Sequence, residues 1–451
     1  MDISRFKRSI TIVLILLSLA FFWQCSDDDS GNGDMNGELP TSLIIPPPVT
    51  LDLDPDLVEE GKQIFRHDTF GDEAFWTDVL QLDKAIIGEA NGGFGPGLDP
   101  TTALELGLKV DATALPQEVV DGINNGSISL TDPMTTVALL DLDAVVGIKA
   151  NVSEGNLQSV GITCALCHST VDNSFSAGIG ERLDGWANQD LDVGKILGLV
   201  NNQALASILN VDRETFNSVV NAWGPGQFAP VLLLDGKVTK PNGELATLNI
   251  PPAYGLQGLT HETYTGWGEV SYWNRFIGVL DMGGQGNFSD PRLNDPEKFP
   301  LAVERGAFNV TVEGEDLVAP KLRPLKEYQL SILAPQPDPS SYNEEMAIRG
   351  KLLFEGKANC ASCHMGPAFA DNVLHAPEEI GIDGFEANRS PTGKYRTPPL
   401  RGLFVKDGKN GFFHDGRFKT LGDVVGHYDT HFELELTENE QRDLVEFLKA
   451  L

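Results

Sequence analysis

Two stretches of this chain set a histidine directly behind a pair of cysteines three apart: Cys164-Ala165-Leu166-Cys167-His168 and Cys360-Ala361-Ser362-Cys363-His364. Two thiols at that spacing share one turn, and the next imidazole swings beneath whatever they hold. The chemistry this suits is addition of both thiols to the vinyl groups of a porphyrin, with the histidine as proximal iron ligand. A four-cysteine zinc site competes for the same thiols but leaves both histidines without a role. A thioredoxin-like redox pair needs a βαβ context that is missing here. Cys164, Cys167 and His168 are therefore expected to hold one haem c, and Cys360, Cys363 and His364 a second. The fifth cysteine, Cys25, lies in the N-terminal segment, so none remains for a structural disulfide.

What such haems do depends on the sixth position of each iron. Two protein ligands make an electron shuttle, whereas an open face can meet peroxide, oxygen or substrate. The other histidines are His67, His261, His375, His414, His427 and His431. Each taken alone reads first as a surface or packing residue. Met282 and Met346 read as core, and Met365 follows its own proximal histidine too closely to reach the opposite face.

The elements that must position these groups are mostly helical. Asp54 and Pro55 start a helix with Leu57, Val58, Gly61, Ile64 and Phe65 on one face. A second is capped by Asp212, with Phe216, Val219, Val220 and Trp223 inward. Residues 333–345 read as a linker. A helix then leads straight into the second motif, and the chain closes on another, with Thr437 and Glu440 as a capping box. "NIPPAYGLQGL" (249–259) echoes "RTPPLRGLFV" (396–405), each downstream of one motif and each followed by an aromatic-glycine segment. Matching order on both sides implies two related units.

The 451 residues carry a formal net charge of −32, which excludes nucleic-acid binding by phosphate neutralisation. Such a surface steers a cationic partner protein, or serves solubility alone. Arg5, Lys7 and Arg8 precede the apolar run "ITIVLILLSLAFFW", which reads as an export signal. "FFWQC" followed by "SDDDSGNGD" resembles a lipoprotein signal with Cys25 as the lipidated residue; an uncleaved anchor is the alternative. Either places the body outside the cytoplasm, in the periplasm or at the outer membrane or cell surface. The expected boundaries are a signal or lipoprotein peptide at 1–25 and a flexible tether at 26–50. An N-terminal haem domain at 51–340 follows, with an insertion at about 65–160, and then a C-terminal cytochrome c domain at 341–451.

"RGKLLFEGKANCASCHMGPAFADNVLHA" and "YRTPPLRGLFVKDGKNGFFHDGRFKTLGDVVGHYD" resemble the C-terminal half of bacterial di-haem cytochrome c peroxidases and the related MauG-type enzymes, which oxidise protein side chains. The match covers 346–451 well and the N-terminal half only around 161–185 and 249–284; residues 65–160 have no counterpart. The resemblance implies two cytochrome c-like haem domains, here in a mainly α protein with long ordered loops and an N-terminal insertion, and often a calcium ion between the haems. It implies that the C-terminal haem relays electrons and the N-terminal one reacts with peroxide. Where the peroxidases cap the relay haem with methionine, Tyr428 stands, as in the MauG-type enzymes. The other reading is that Tyr428 packs and His427, or no side chain, binds that iron. Glu181 stands where a distal histidine would be, so the first haem's far face is open or filled by His261 or His67. Asp281, in Asp281-Met282-Gly283, takes the place of the family's catalytic glutamate, and otherwise reads as an exposed loop acid. Trp267 corresponds to an inter-haem electron stepping-stone, or to a core tryptophan.

The reading that results is an exported, lipid-anchored di-haem c-type cytochrome. Electrons from a small redox protein would pass through the C-terminal haem to an N-terminal haem that reduces hydrogen peroxide or performs a related oxidation. The rivals are a non-catalytic di-haem carrier, and an oxygenase or substrate oxidase that binds its substrate through the insertion.

Overall fold

Helix α1 (Pro55–His67) starts where Asp54 accepts a hydrogen bond from the Asp56 amide and Pro55 fills the first turn. It buries Gly61, Ile64 and Phe65. Gly61 lies so close to the Pro324 backbone that a Cβ would collide with it. The structure, a computed structural model, describes residues 41–451. The export segment at 1–25 with Cys25, and residues 26–40 of the tether, lie outside the described residues. No helix among the described residues is long and apolar enough to cross a membrane.

The chain is mainly helical, as expected. After α1 come α2 (Pro133–Asp141), α3 (Val193–Leu199), α4 (Arg213–Val220), α5 (Val270–Phe276), α6 (Leu322–Ser331), α7 (Glu344–Glu355), α8 (Leu421–Phe432) and α9 (Glu438–Lys449). Asp212 caps α4, and the Thr437–Glu440 capping box starts α9. The longest strands form one antiparallel hairpin, β1 (Ile148–Ser153) with β2 (Asn156–Ile162), turned at Glu154 and Gly155, both with positive φ. Long loops carry much of the rest.

Three apolar cores organise these elements. One joins Trp76, Leu80, Ile86, Leu140 and Val160 to Leu191, Val200, Phe216 and Leu232. Residues 76–160, within the stretch expected as an insertion, thus share a core with residues 191–250. A second core gathers Phe65, Ala165, Trp267, Trp273, Phe276, Phe288 and Phe299, with α1 and α6 packed across it. The third belongs to the C-terminal unit, where Phe354, Phe369, Leu421 and Phe447 meet as α7 packs on α9. Buried Arg389 ties the two halves, pairing with Asp235 at 2.7 Å and Glu386 at 3.0 Å. Removing either carboxylate would leave a buried charge short of a partner.

The last part of the tether departs from expectation. Residues 43–50 hold no regular secondary structure, yet Leu43 and Ile45 pack against the third core. The Pro46 carbonyl accepts a hydrogen bond from Arg401, and Val49 lies beside Gly258. Apolar side chains there have a surface to cover, so this piece is docked rather than a free spacer.

Candidate functional site

The first motif follows β2 directly. The Thr163 amide donates to the Gly147 carbonyl, and Gly147, at φ 83°, passes so near Leu166 that no side chain would fit. One helical turn, Ala165–His168, follows. His168 Nδ1 lies 3.0 Å from the Pro251 carbonyl. A proton on Nδ1 there leaves Nε2 as a lone-pair donor, the state a metal requires. Burial lowers the His168 pKa to about 4, keeping the ring neutral, and raises both cysteine thiols to about 12.

Asp281 ends the π-helical turn Ile277–Asp281 that continues α5. It is no exposed loop acid: Oδ2 is buried with no hydrogen-bond partner, and burial raises its pKa well above the usual carboxylate value. After burial, an ionised Asp281 is the next influence raising the Cys167 thiol, so the carboxyl group lies within electrostatic range of the first motif.

The second motif is entered through Asn359 at φ 50°, and the His364 amide closes onto the Cys360 carbonyl at 2.9 Å. His364 Nδ1 lies 2.9 Å from the Phe369 carbonyl, and the Pro398 carbonyl also faces the ring. Pro251 and Pro398 occupy equivalent places in the two repeated loops. The loops also interlock: the Asn249 amide donates to the His414 carbonyl at 2.7 Å, and the Arg396 amide to the Tyr264 carbonyl at 3.0 Å. The first loop therefore holds its own unit's histidine and the second faces its own, while each bonds to the aromatic segment of the other unit.

Tyr428, on α8, lies within electrostatic range of the second motif's cysteines. Burial raises its pKa first, then the charges of Cys363 and Cys360. Phe432 stacks on it at 5.8 Å, and Phe413 lies 6.1 Å away. Its neighbour His427 turns elsewhere, with Nε2 2.9 Å from the Ile380 carbonyl, and His431 Nε2 lies 3.2 Å from the Glu379 carbonyl.

The remaining candidates fall in varied places. Glu181 is solvent-exposed. His67 is lowered by burial first and then by Arg182 and Lys149, while His261 lies against Thr260, and its carbonyl accepts from Arg396. Nothing in these contacts carries either histidine to the first motif. Met282 is core, Met346 half-buried, and Met365 49% exposed. Trp267 is buried, stacked on Trp273 at 5.1 Å and 11°. Cys363, Asp371 and His375 come within metal-ligating range. However, Cys363 belongs to the haem motif, and His375 is spanned by Asp371 at 3.0 Å and Glu379 at 3.1 Å.

Sequence reasoning missed Asp72, which burial raises to about 9 and whose carboxylate accepts from the Ile162 amide. It also did not foresee the approach of half-buried Tyr264 to buried His414, with ring centroids 6.3 Å apart, although both stand in the aromatic segments of the repeat. Tyr264 OH, His414 Nε2, Trp267 Nε1 and Trp273 Nε1 join Asp281 Oδ2 as buried polar atoms without a partner. Two oriented histidines, four unbridged cysteines and this set of orphaned atoms suit a pair of large planar groups with polar edges. The residues fit covalent haem.

No family model matches the chain. It is 35% identical over 123 residues to the methylamine utilization protein MauG of Methylorubrum extorquens, covering 23% of this chain and 34% of that protein. It is 29% identical over 152 residues to cytochrome-c peroxidase IdrP1 of Denitromonas iodatirespirans, covering 23% of this chain and 40% of that protein. The chain thus spans little more than a third of the length of the curated relatives it matches. Among solved structures, the diheme peroxidase BthA of Burkholderia thailandensis aligns at 17% identity and a TM-score of 0.30, over 51% of this chain and 78% of its own. That score is too low to bear on the fold. Over the stretch they share, the chain is similar in sequence to MauG and to cytochrome-c peroxidases.

Proposed function

We propose that the protein is an exported, lipid-anchored di-haem c-type cytochrome that reduces hydrogen peroxide, or performs a related oxidation, at the site of the first motif. Electrons enter through the second. The observation that supports this reading is the asymmetry around two similarly anchored histidines: a buried, unpartnered carboxyl group, Asp281, lies within electrostatic range of one motif, and a buried phenol, Tyr428, within range of the other. When bound, haem c supplies a redox iron and, where a face is open, a position for peroxide. His168 and His364 present Nε2 because their Nδ1 atoms are held by carbonyls. Asp281, kept protonated by burial, holds the proton that a departing peroxide oxygen needs. Tyr428 is pressed towards its neutral form by burial, so it ionises only beside a compensating cation, which ties a ligand role to ferric iron.

The partners of this reading are peroxide and a small redox protein, cationic against a chain of net charge −32. Calcium between the haems and a lipid on Cys25 belong to it as well. Chelation followed by spectroscopy tests the first, and Cys25→Ala, which should release the protein from the membrane fraction, the second. The deciding experiment is expression with cytochrome c maturation, followed by spectra with and without peroxide or cyanide. The expected result is one high-spin, cyanide-binding haem beside a low-spin one. Two low-spin haems indifferent to both reagents would overturn the proposal in favour of an electron carrier.

A further inference from the structure

An aromatic cluster beside the first motif ends in a tyrosine whose proton has a prepared destination. Trp267 and Trp273 stack, and the Tyr272 ring stands edge-on to both, with centroids 6.5 Å and 5.7 Å away. The cluster shares its core with Ala165, and Cys164 packs against that core. The Tyr272 hydroxyl donates to Asp290 Oδ2 at 2.6 Å. Arg292 fixes that carboxylate, donating from Nε to Oδ1 at 2.9 Å and from Nη2 to Oδ2 at 2.8 Å. A further bond, from Arg292 Nη1 to the Trp267 carbonyl at 2.9 Å, locks the pair to the indoles. Burial pushes the Asp290 pKa up, but the hydrogen bonds from Arg292 and Tyr272 outweigh it, and the carboxylate stays ionised.

A neutral phenol gives up an electron readily only if its proton can leave at the same time, and an ionised carboxylate at hydrogen-bond distance receives it within the existing bond. We propose that Tyr272 is a redox-active tyrosine that delivers one electron through the Trp267–Trp273 stack towards the first haem site while its phenol proton passes to Asp290. Reduction of hydrogen peroxide to two waters consumes two electrons and two protons. Tyr272 supplies one of those electrons; its O–H bond breaks, leaving a neutral phenoxyl radical and a protonated Asp290. The other electron comes from the haem centre, and the two protons come from Asp281 and solvent; an electron from the external donor, with return of the Asp290 proton, restores the phenol. The inference rests on the peroxide-reducing reading above.

The test is paramagnetic resonance of the ferric di-haem protein frozen shortly after mixing with hydrogen peroxide, with and without ring-deuterated tyrosine. The expected result is a tyrosyl signal that narrows on deuteration and is lost in Tyr272→Phe, a variant that keeps the ring and its packing. Asp290→Asn, with haem absorption intact, should also lose most of it, because the hydrogen bond survives without a proton acceptor. An undiminished signal in Tyr272→Phe, or oxidised haem without any tyrosyl radical, would overturn the inference and leave the proposed function standing. A wild-type haem spectrum unmoved by peroxide would bring down both.

Discussion

The two Cys-x-x-Cys-His segments are anchored alike and surrounded differently. In both, a carbonyl holds Nδ1 of the histidine, and the first proline of a repeated loop faces the ring. The first motif is sunk between two cores, its cysteines both raised to about 12 by burial, with an unpaired carboxylate beside it. Around the second, Cys360 is raised to about 11, and Met365 and Val373 are about half exposed. A buried, water-poor setting strengthens the electrostatic effect of a lone acid. A motif near the surface shortens the path from an external donor. On the proposed reading, the contrast lets one attachment chemistry serve two roles, set by the residues that surround each motif.

The comparison breaks most completely if the attachment is wrong. Cys164→Ser with Cys167→Ser should halve the covalent haem content, read by mass and by haemochrome absorbance, and Cys360→Ser with Cys363→Ser should halve it at the other site. Next in size, Asp281→Asn should slow peroxide reduction by ~10²-fold or more while leaving cyanide binding intact. An unchanged rate would remove the acid from the chemistry. Tyr428→Phe should shift the spectrum and raise the reduction potential of the second haem only, as loss of an anionic ligand demands; any change at the first haem would contradict the assignment.

Smaller effects concern stability. The folded pKa of Asp72, about 9, exceeds its unfolded value of 3.8, so the native state binds the proton more tightly. Its contribution is full below about pH 4 and is lost as pH rises through about 9. Asp72→Asn should therefore match the wild type near pH 4 and exceed it by about 1–3 kcal/mol near pH 9, measured by denaturant unfolding. Ile45→Ala should cost about 1 kcal/mol by the same measurement, since that half-buried side chain packs on the C-terminal core. No loss would mean that the tether's end is unanchored.

Much of the local architecture was legible. Asp54, Asp212 and Thr437 start helices where capping chemistry says they should, because caps depend on neighbours a few residues away. The repeat was visible as two proline-rich loops, but not its purpose: nothing in "IPPAY" says that the Pro251 carbonyl meets a histidine 83 residues earlier. His427 and Tyr428 are adjacent on one helix, about 100° apart. Spacing alone could not show that the Ile380 carbonyl, from a separate turn, engages His427, while Tyr428 lies within electrostatic range of the second motif's cysteines. Nor could the sequence show that the core of the 65–160 stretch is completed by residues 191–250, which lie far along the chain.

By itself the sequence determined the two Cys-x-x-Cys-His spacings that suit haem attachment, because bonding of two thiols and a neighbouring imidazole is a matter of a few consecutive residues. Tertiary structure alone decided that Asp281 is buried and unpartnered, that the paired loops cross between units, and that Tyr272 meets Asp290. Burial and hydrogen bonding are set by segments far apart in the chain, and their energies exist only once those segments have packed.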